Sequence, residues 1–242
     1  VVDPSIVAIY HVWSRTVRQA WLCGYDPLTG KDYSEWRQWI REFLEELAGL
    51  FGVEVGFHAE MSNHLHLVLR SRPDVVQTWS DQEVVRRSMT IERLAKSKTG
   101  KREDELPAGE ITLQARDPER VAELRLRLSH VSHFMKTLGD YIGRRANRED
   151  ECKGRFFEER FSCRRLFDEA AVLVCGVYVD LNQIRAGETL TPEESKHTSA
   201  YERILDRLCE DMFGESLRID SADSVERLSD KAGWMCELTL QE

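Results

Sequence analysis

The sequence predicts an α+β fold, an antiparallel sheet with helices packed on it, and three stretches carry that expectation. Residues 6–14 (I-V-A-I-Y-H-V-W-S) are rich in β-branched and aromatic side chains, as a strand requires. After Ser34, the apolar residues Trp36, Trp39, Ile40, Phe43, Leu44, Leu47 and Leu50 recur at helical spacing. Residues 53–60 and 64–70 both alternate, and only Met61-Ser62-Asn63 separates them, so they form an antiparallel pair.

In chain order, the first strand is followed by a turn at residues 24–30, which carry Asp26-Pro27 and Thr29-Gly30. Ser34 is placed to cap the first helix, and Gly49 and Gly52 end it. Side chains two apart on a strand share a face. His64 and His66 therefore point one way, and Leu65 and Leu67 the other way, into a core. Pro73 ends that strand, residues 74–94 read as a less regular helix, and residues 95–109 read as a polar loop. Asp117-Pro118 opens a helix in which Val121, Leu124, Leu128, Val131, Met135, Leu138 and Ile142 follow at spacings of three and four. His130 and His133 fall within it and read as surface or packing histidines, as His11 does on the first strand. Asp168 caps a final core helix over residues 169–185, apolar nearly all round, and Gly187 ends it. Tyr178 and Asn182, two of its polar exceptions, are four apart and share a face. Thr191-Pro192-Glu193-Glu194 fits a capping box opening a polar helical tail.

The chain has 242 residues and a net charge of -9, a balance that by itself argues against nucleic acid. Its distribution reverses that argument. Residues 188–242 hold 14 acidic and 6 basic residues, and residues 1–187 hold 29 acidic and 28 basic. Within the body, residues 136–165 carry 9 basic against 6 acidic side chains. The six cysteines are scattered, with no C-x-x-C spacing, which predicts free thiols in a reducing, cytoplasmic setting. No apolar run approaches the roughly 20 residues of a bilayer span, and no signal-peptide pattern is read at the start, Val1.

Two features carry chemistry. Two imidazoles on one rigid strand face are a bidentate seat for a divalent metal, and equally an exposed pair of strand histidines. Arg144, Arg145, Arg148, Arg155 and Arg160 interleave with Phe156 and Phe157, which suits phosphate pairing with base stacking. It equally suits a solvated helix end followed by a loop pinned by buried phenylalanine.

Read together, these segments resemble one family. Asn63-His64-Leu65-His66-Leu67 resembles the His-hydrophobe-His (HUH) motif of single-strand DNA nucleases. The stretch Tyr178-Val179-Asp180-Leu181-Asn182-Gln183-Ile184-Arg185-Ala186-Gly187 resembles the tyrosine-helix signature of the REP-associated tyrosine transposases, roughly Tyr-[Ile/Val]-x-x-Asn-Pro-[Val/Ile]-Arg-Ala-Gly. Gly154-Arg155-Phe156-Phe157-Glu158-Glu159-Arg160-Phe161 is similar to that branch's Gly-x-[Phe/Trp]-Trp-Glu-x-Arg-[Phe/Tyr] segment, and Tyr10-His11-Val12 with Ser14-Arg15 to its first strand. The resemblance covers residues 6–187. Gln183 stands where the family has Pro, Phe157 where it has Trp, and the acidic tail is unusual for a DNA enzyme.

The resemblance implies a ferredoxin-like sandwich, with helices on one side of the sheet, the histidine strand central and the Tyr178 helix across from it. It divides the chain into a catalytic domain, 1–187, and an acidic helical extension, 188–242. It implies a metal-dependent single-stranded DNA endonuclease and strand transferase acting beside hairpins. His64, His66 and a third ligand, Asn182, would hold Mg²⁺ or Mn²⁺. Tyr178 would attack phosphorus and form a 5′-phosphotyrosine, where otherwise it reads as a half-buried tyrosine with a structural hydrogen bond. DNA would be held by Arg144, Arg145, Arg148, Arg155 and Arg160, with Phe156 and Phe157 stacking on bases, and Arg15 and Arg18 are weaker candidates. The competing expectations are a domesticated, non-cleaving hairpin-binding protein, a metal-dependent hydrolase that does not use Tyr178, and a platform whose tail recruits a protein partner. Monomer and homodimer are both open.

Overall fold

The computed structural model describes residues 2–17, 20–101, 106–213 and 235–236. Arg18 and most of the extension beyond Phe213 lie outside them. In chain order the elements are β1 (Ala8–Arg15), α1 (Ser34–Ala48), β2 (Val53–Glu60), β3 (His64–Ser71), α2 (Pro73–Thr78), α3 (Asp81–Lys96), α4 (Ala108–Gln114), α5 (Pro118–Leu128), α6 (Val131–Glu149), β4 (Ser162–Leu166), α7 (Glu169–Asp180), α8 (Asn182–Arg185) and α9 (Ser199–Phe213). The four strands form one antiparallel sheet in the order β2-β3-β1-β4. That order, with α1 crossing from β1 to β2 and the α2–α6 block crossing from β3 to β4, is the split βαβ arrangement of a ferredoxin-like sheet.

Strand alternation separates two faces. On one, Tyr10, Val12, Leu65, Leu67 and Leu69 are buried with the apolar stripes of α1, α3, α5 and α6 in the main core. On the other, a small cluster of Phe57, Ala59, Met61, Val68, Val172 and Val179 seats α7. Helices therefore cover both faces, not one as expected. The expected core helix is a surface helix, because so small a cluster can bury only one of its sides. Val172, Gly176 and Val179 are buried, while Leu173, Val174 and Val177 are exposed.

Other differences have local causes. The single helix expected from Pro118 is two, α5 and α6, because His130 adopts an extended conformation and its Nδ1 accepts the backbone N–H of Ser132 at 3.1 Å. Helix α4 starts at the end of the expected 95–109 loop, and strand β4 follows the expected 154–161 loop, where no element was read. Residues 191–194 close a turn, with Ser195 N–H donating to Pro192 O at 3.1 Å, and the helix starts later, at Ser199.

The described part of the extension covers the free edge of β2. Glu60 N–H donates to His197 O at 3.3 Å, and Ala59 bridges Thr198. An exposed strand edge is a template for unwanted pairing, and this contact removes part of it. Helix α9 reaches both sheet faces. On one, Glu202 meets the fully buried His58 and the Arg41 guanidinium, and His58 Nδ1 lies 3.2 Å from Glu60 Oε1. On the other, Arg203 lies over the Phe57 ring, 4.4 Å from its centroid, and pairs with Asp180 of α7 at 3.3 Å.

Burial alone would keep His58 neutral, but the carboxylates of Glu60 and Glu202 outweigh it and raise its pKa to about 9. A folded pKa above the unfolded value of about 6.5 stabilises fully below that pH, and the contribution is lost as pH rises through the folded pKa. Urea unfolding should therefore give a stability at pH 9.5 lower than at pH 6.5 by on the order of 2 kcal/mol. His58→Gln should remove most of that slope; a wild-type profile flat across the interval counts against a charged His58.

Candidate active site

The site begins with register. Trp13 lies opposite His66 and Arg15 opposite His64 across β1 and β3, and Arg164 lies opposite His11 across β1 and β4. Partners in register project from the same face. The face turned away from the main core therefore gathers His11, Trp13, Arg15, His64, His66 and Arg164. Helix α7 crosses this face and adds Tyr178, and α8 adds Asn182, to the walls of a cleft of about 860 Å³.

Within the cleft the two motif histidines stand edge to face, their ring centroids 4.8 Å apart. The Tyr178 ring packs edge-on against His66, 5.6 Å away, and against His11, 6.1 Å away. Arg185 places its guanidinium 5.1 Å from the centre of the tyrosine ring. Tyr178 thus stands on the histidine side of the sheet with its ring partly exposed. Asn182 is buried, and its Nδ2 has no hydrogen-bond partner.

Neighbours fix which ring nitrogens are available. Asn63 Oδ1 lies 2.6 Å from His64 Nδ1 and, as an acceptor, assigns the proton there. His11 Nε2 lies 2.9 Å from His66 Nδ1, with the two rings stacked. Both motif histidines therefore spend Nδ1 on a polar neighbour and keep Nε2 for a ligand. Burial first, then the positive charge His64, His11 and Arg15 would contribute, pushes the His66 pKa down to about 3. Burial, followed by Arg164, lowers His11 to about 4, and burial lowers His64. All three are neutral at pH 7, the state a metal requires of an imidazole.

Among the described residues no three His, Cys, Asp or Glu side chains are grouped to hold a metal. His64 and His66 fit one only with a ligand outside that set. The buried carboxamide of Asn182, its Nδ2 unpartnered, supplies a side-chain oxygen in the same cleft. The donor set of two imidazoles and an amide oxygen fits a divalent cation of intermediate hardness.

Gln183 is fully buried, and its Nε2 donates to Glu60 O at 3.1 Å and to Lys196 O at 3.0 Å. It ties α8 to the end of β2 and to the extension. The helix breaks without a proline, at Leu181 (φ -93°, ψ 8°). Glu188 accepts from Ser62 N–H at 2.9 Å and pairs with Arg37, holding the turn that precedes His64.

The predicted DNA-binding residues separate into groups. Arg15 lines the cleft. Arg144, Arg155, Phe156, Phe157 and Arg160 line another depression of about 320 Å³ beside α6, which shares no residue with the cleft. Phe157 is buried in the main core and Phe156 packs on Trp36, so these rings pin the loop. Arg145 is held by Glu149 and Tyr141 and lies over Trp39, and Arg148 is exposed on the last turn of α6. Sequence reasoning passed over the cleft residues Trp13, Arg164, Arg165 and Phe167. The available signal was the Arg164-Arg165 pair at the end of the basic stretch, whose strand is too short to read by alternation. Among the described residues no helix is long and apolar enough to cross a membrane.

No protein-family model matches the sequence, and no curated protein does. One solved structure, of a REP-associated tyrosine transposase bound to a REP hairpin, is similar with a TM-score of 0.45 and 9% identity, over 86% of this chain and 84% of that one.

Two outcomes follow from the geometry. In an imidazole ¹⁵N titration, His66 should remain neutral down to about pH 4 while the fold persists, since its pKa is about 3; titration near 6.5 would contradict its burial. A Cβ added at Gly176 would lie 2.2 Å from Phe57 Cζ. Helix propensity alone makes Gly176→Ala stabilising by about 1 kcal/mol, whereas overpacking makes it destabilising by about 1–3 kcal/mol. Thermal unfolding should give the second sign, with relief in Gly176→Ala/Phe57→Leu.

Proposed function

We propose that this chain is a metal-dependent single-stranded DNA endonuclease and strand transferase acting beside hairpins, with Tyr178 as its nucleophile. The observation that supports this reading is the meeting, in one arginine-lined cleft, of two neutral imidazoles, a buried carboxamide and an accessible phenol. His64 and His66 would hold Mg²⁺ or Mn²⁺ through Nε2 and Asn182 through its side-chain oxygen, and Mn²⁺ accepts imidazole more readily. When bound, the ion supplies positive charge that polarises the scissile phosphate.

The chain's own residues do the rest. Tyr178 gives up its phenolic proton and its Oη attacks phosphorus. The Oη–P bond forms, the P–O3′ bond breaks, and the departing 3′-oxygen takes up a proton. The resulting 5′-phosphotyrosine retains an activated phosphodiester, so the 3′-hydroxyl of another strand can reverse the exchange and restore the phenol. His11 acts through His66, whose Nδ1 it holds. Arg185 fixes the tilt of the tyrosine ring.

The test is a denaturing gel with labelled hairpin-bearing single-stranded DNA, in Mn²⁺ or Mg²⁺ and in EDTA. A metal-dependent covalent protein–DNA band that is lost in Tyr178→Phe is the expected result. A gel shift with no such band would support instead the non-cleaving hairpin-binding protein, and the absence of both would remove both readings. By titration calorimetry, His11→Leu should weaken Mn²⁺ binding about 10–100-fold, the usual effect of losing a ligand's outer partner. His11→Gln, which retains an acceptor, should lose less.

A further inference from the structure

The cleft extends beyond the groups that the proposed reaction uses. Its outer wall is formed by β4 and the residues that lead into α7, and it carries Arg164 and Phe167. Phe167 is 80% exposed and Val174, across from it on α7, is 72% exposed. The Arg165 guanidinium lies 5.1 Å from the Phe167 ring centre. On the inner wall the Trp13 indole stacks at a tilt on His11, their centroids 4.9 Å apart. Arg15 stands at the mouth of the cleft, beside His64.

Charge decides what these apolar surfaces are for. Arg15 and Arg164 project into the cleft from one sheet face, and its one carboxylate, Asp168, is engaged by the N–H of Ala171 as the cap of α7. In a chain of net charge -9, that is a local reversal of sign. An apolar protein surface docked here would bury arginines without counter-charges, at a cost in desolvation. A single nucleic-acid strand matches both features, because its bases offer π faces and its phosphates offer charge at every step.

We infer that the wall formed by Trp13, Arg164 and Phe167, with Arg15 at its end, is the track that holds the single strand flanking the reacting phosphate. This rests on the nuclease reading for the identity of the strand. Phe167 and Trp13 stack on bases, and the arginines neutralise phosphates. The strand then runs over β1 and β4, and not across the α6 depression, where Phe157 is buried.

The test is fluorescence anisotropy on the full chain carrying Tyr178→Phe, which binds without covalent capture, using a fluorescein-labelled hairpin with a single-stranded flank. Phe167→Ala should weaken binding about 10-fold, and Phe167→Trp should restore it. In Arg15→Gln/Arg164→Gln the slope of log affinity against log salt should be shallower by about 1.4, the counterions of two phosphates on a single strand. Circular dichroism of each variant guards against simple unfolding. The track is overturned if these variants bind like their parent while Arg155→Gln/Arg160→Gln loses binding. It is also overturned if Phe167→Ala changes only self-association in sedimentation, which would make the wall a protein interface. The wild-type chain, run in parallel, separates the two readings. A covalent band with Phe167-independent binding sinks the track alone. Failure of the parent to bind DNA at any salt sinks both.

Discussion

The two-residue period of β3 is the constraint on which the cleft depends. Leu65, Leu67 and Leu69 are buried in the main core, and that burial fixes the direction of His64 and His66. A one-residue slip would drive two imidazoles into an apolar interior and expose three leucines. Burying a large apolar side chain stabilises by about 1.5–3 kcal/mol, so three of them specify the register strongly. The histidines need no contribution of their own to stability, and Asn63 and His11 occupy their Nδ1 atoms.

The tyrosine reaches the histidines by a different route. Helix α7 has a small cluster beneath it, and its approach is set by Gly176, whose missing side chain admits the Phe57 ring. Its far end is secured by polar contacts: Ser199 and Arg203 hold Asp180, and Gln183 is tied to β2 and to Lys196. The partners come from the acidic extension. The composition changes at residue 187, but the hydrogen bonds that seat the tyrosine helix cross that point.

Much of this was legible in the sequence, for a physical reason. The hairpin of β2 and β3, the stripe of α1 and the Asp168 cap are each written in a local period or a local hydrogen bond. What was illegible depends on distant partners. Strand β4 is short and its arginines are exposed, so only pairing with β1 makes it a strand. The break between α5 and α6 is hidden because apolar spacing runs straight through it, and α4 offers the core only the half-buried Ile111. The exposure of α7 follows from how little sheet lies beneath it, which no helical wheel records. His64 and His66 share a face by alternation alone, whereas His11 meets His66 from a strand 55 residues away. The segment beside α6 is basic and aromatic in composition, but composition does not reveal that Phe157 points inward.

The sheet order has a consequence for how the protein comes into being. The central strand β1 precedes both of its neighbours in the chain, β3 and then β4, which pairs Ile9 with Leu166. A nascent chain that ends before α7 already has its leucine core and its histidines but no phenol beside them. Non-local pairings form late, since chain closure must precede the contacts that reward it. On the reading proposed above, chemistry at Tyr178 waits until nearly all of residues 8–185 have been made, and a product that ends before α7 carries no nucleophile.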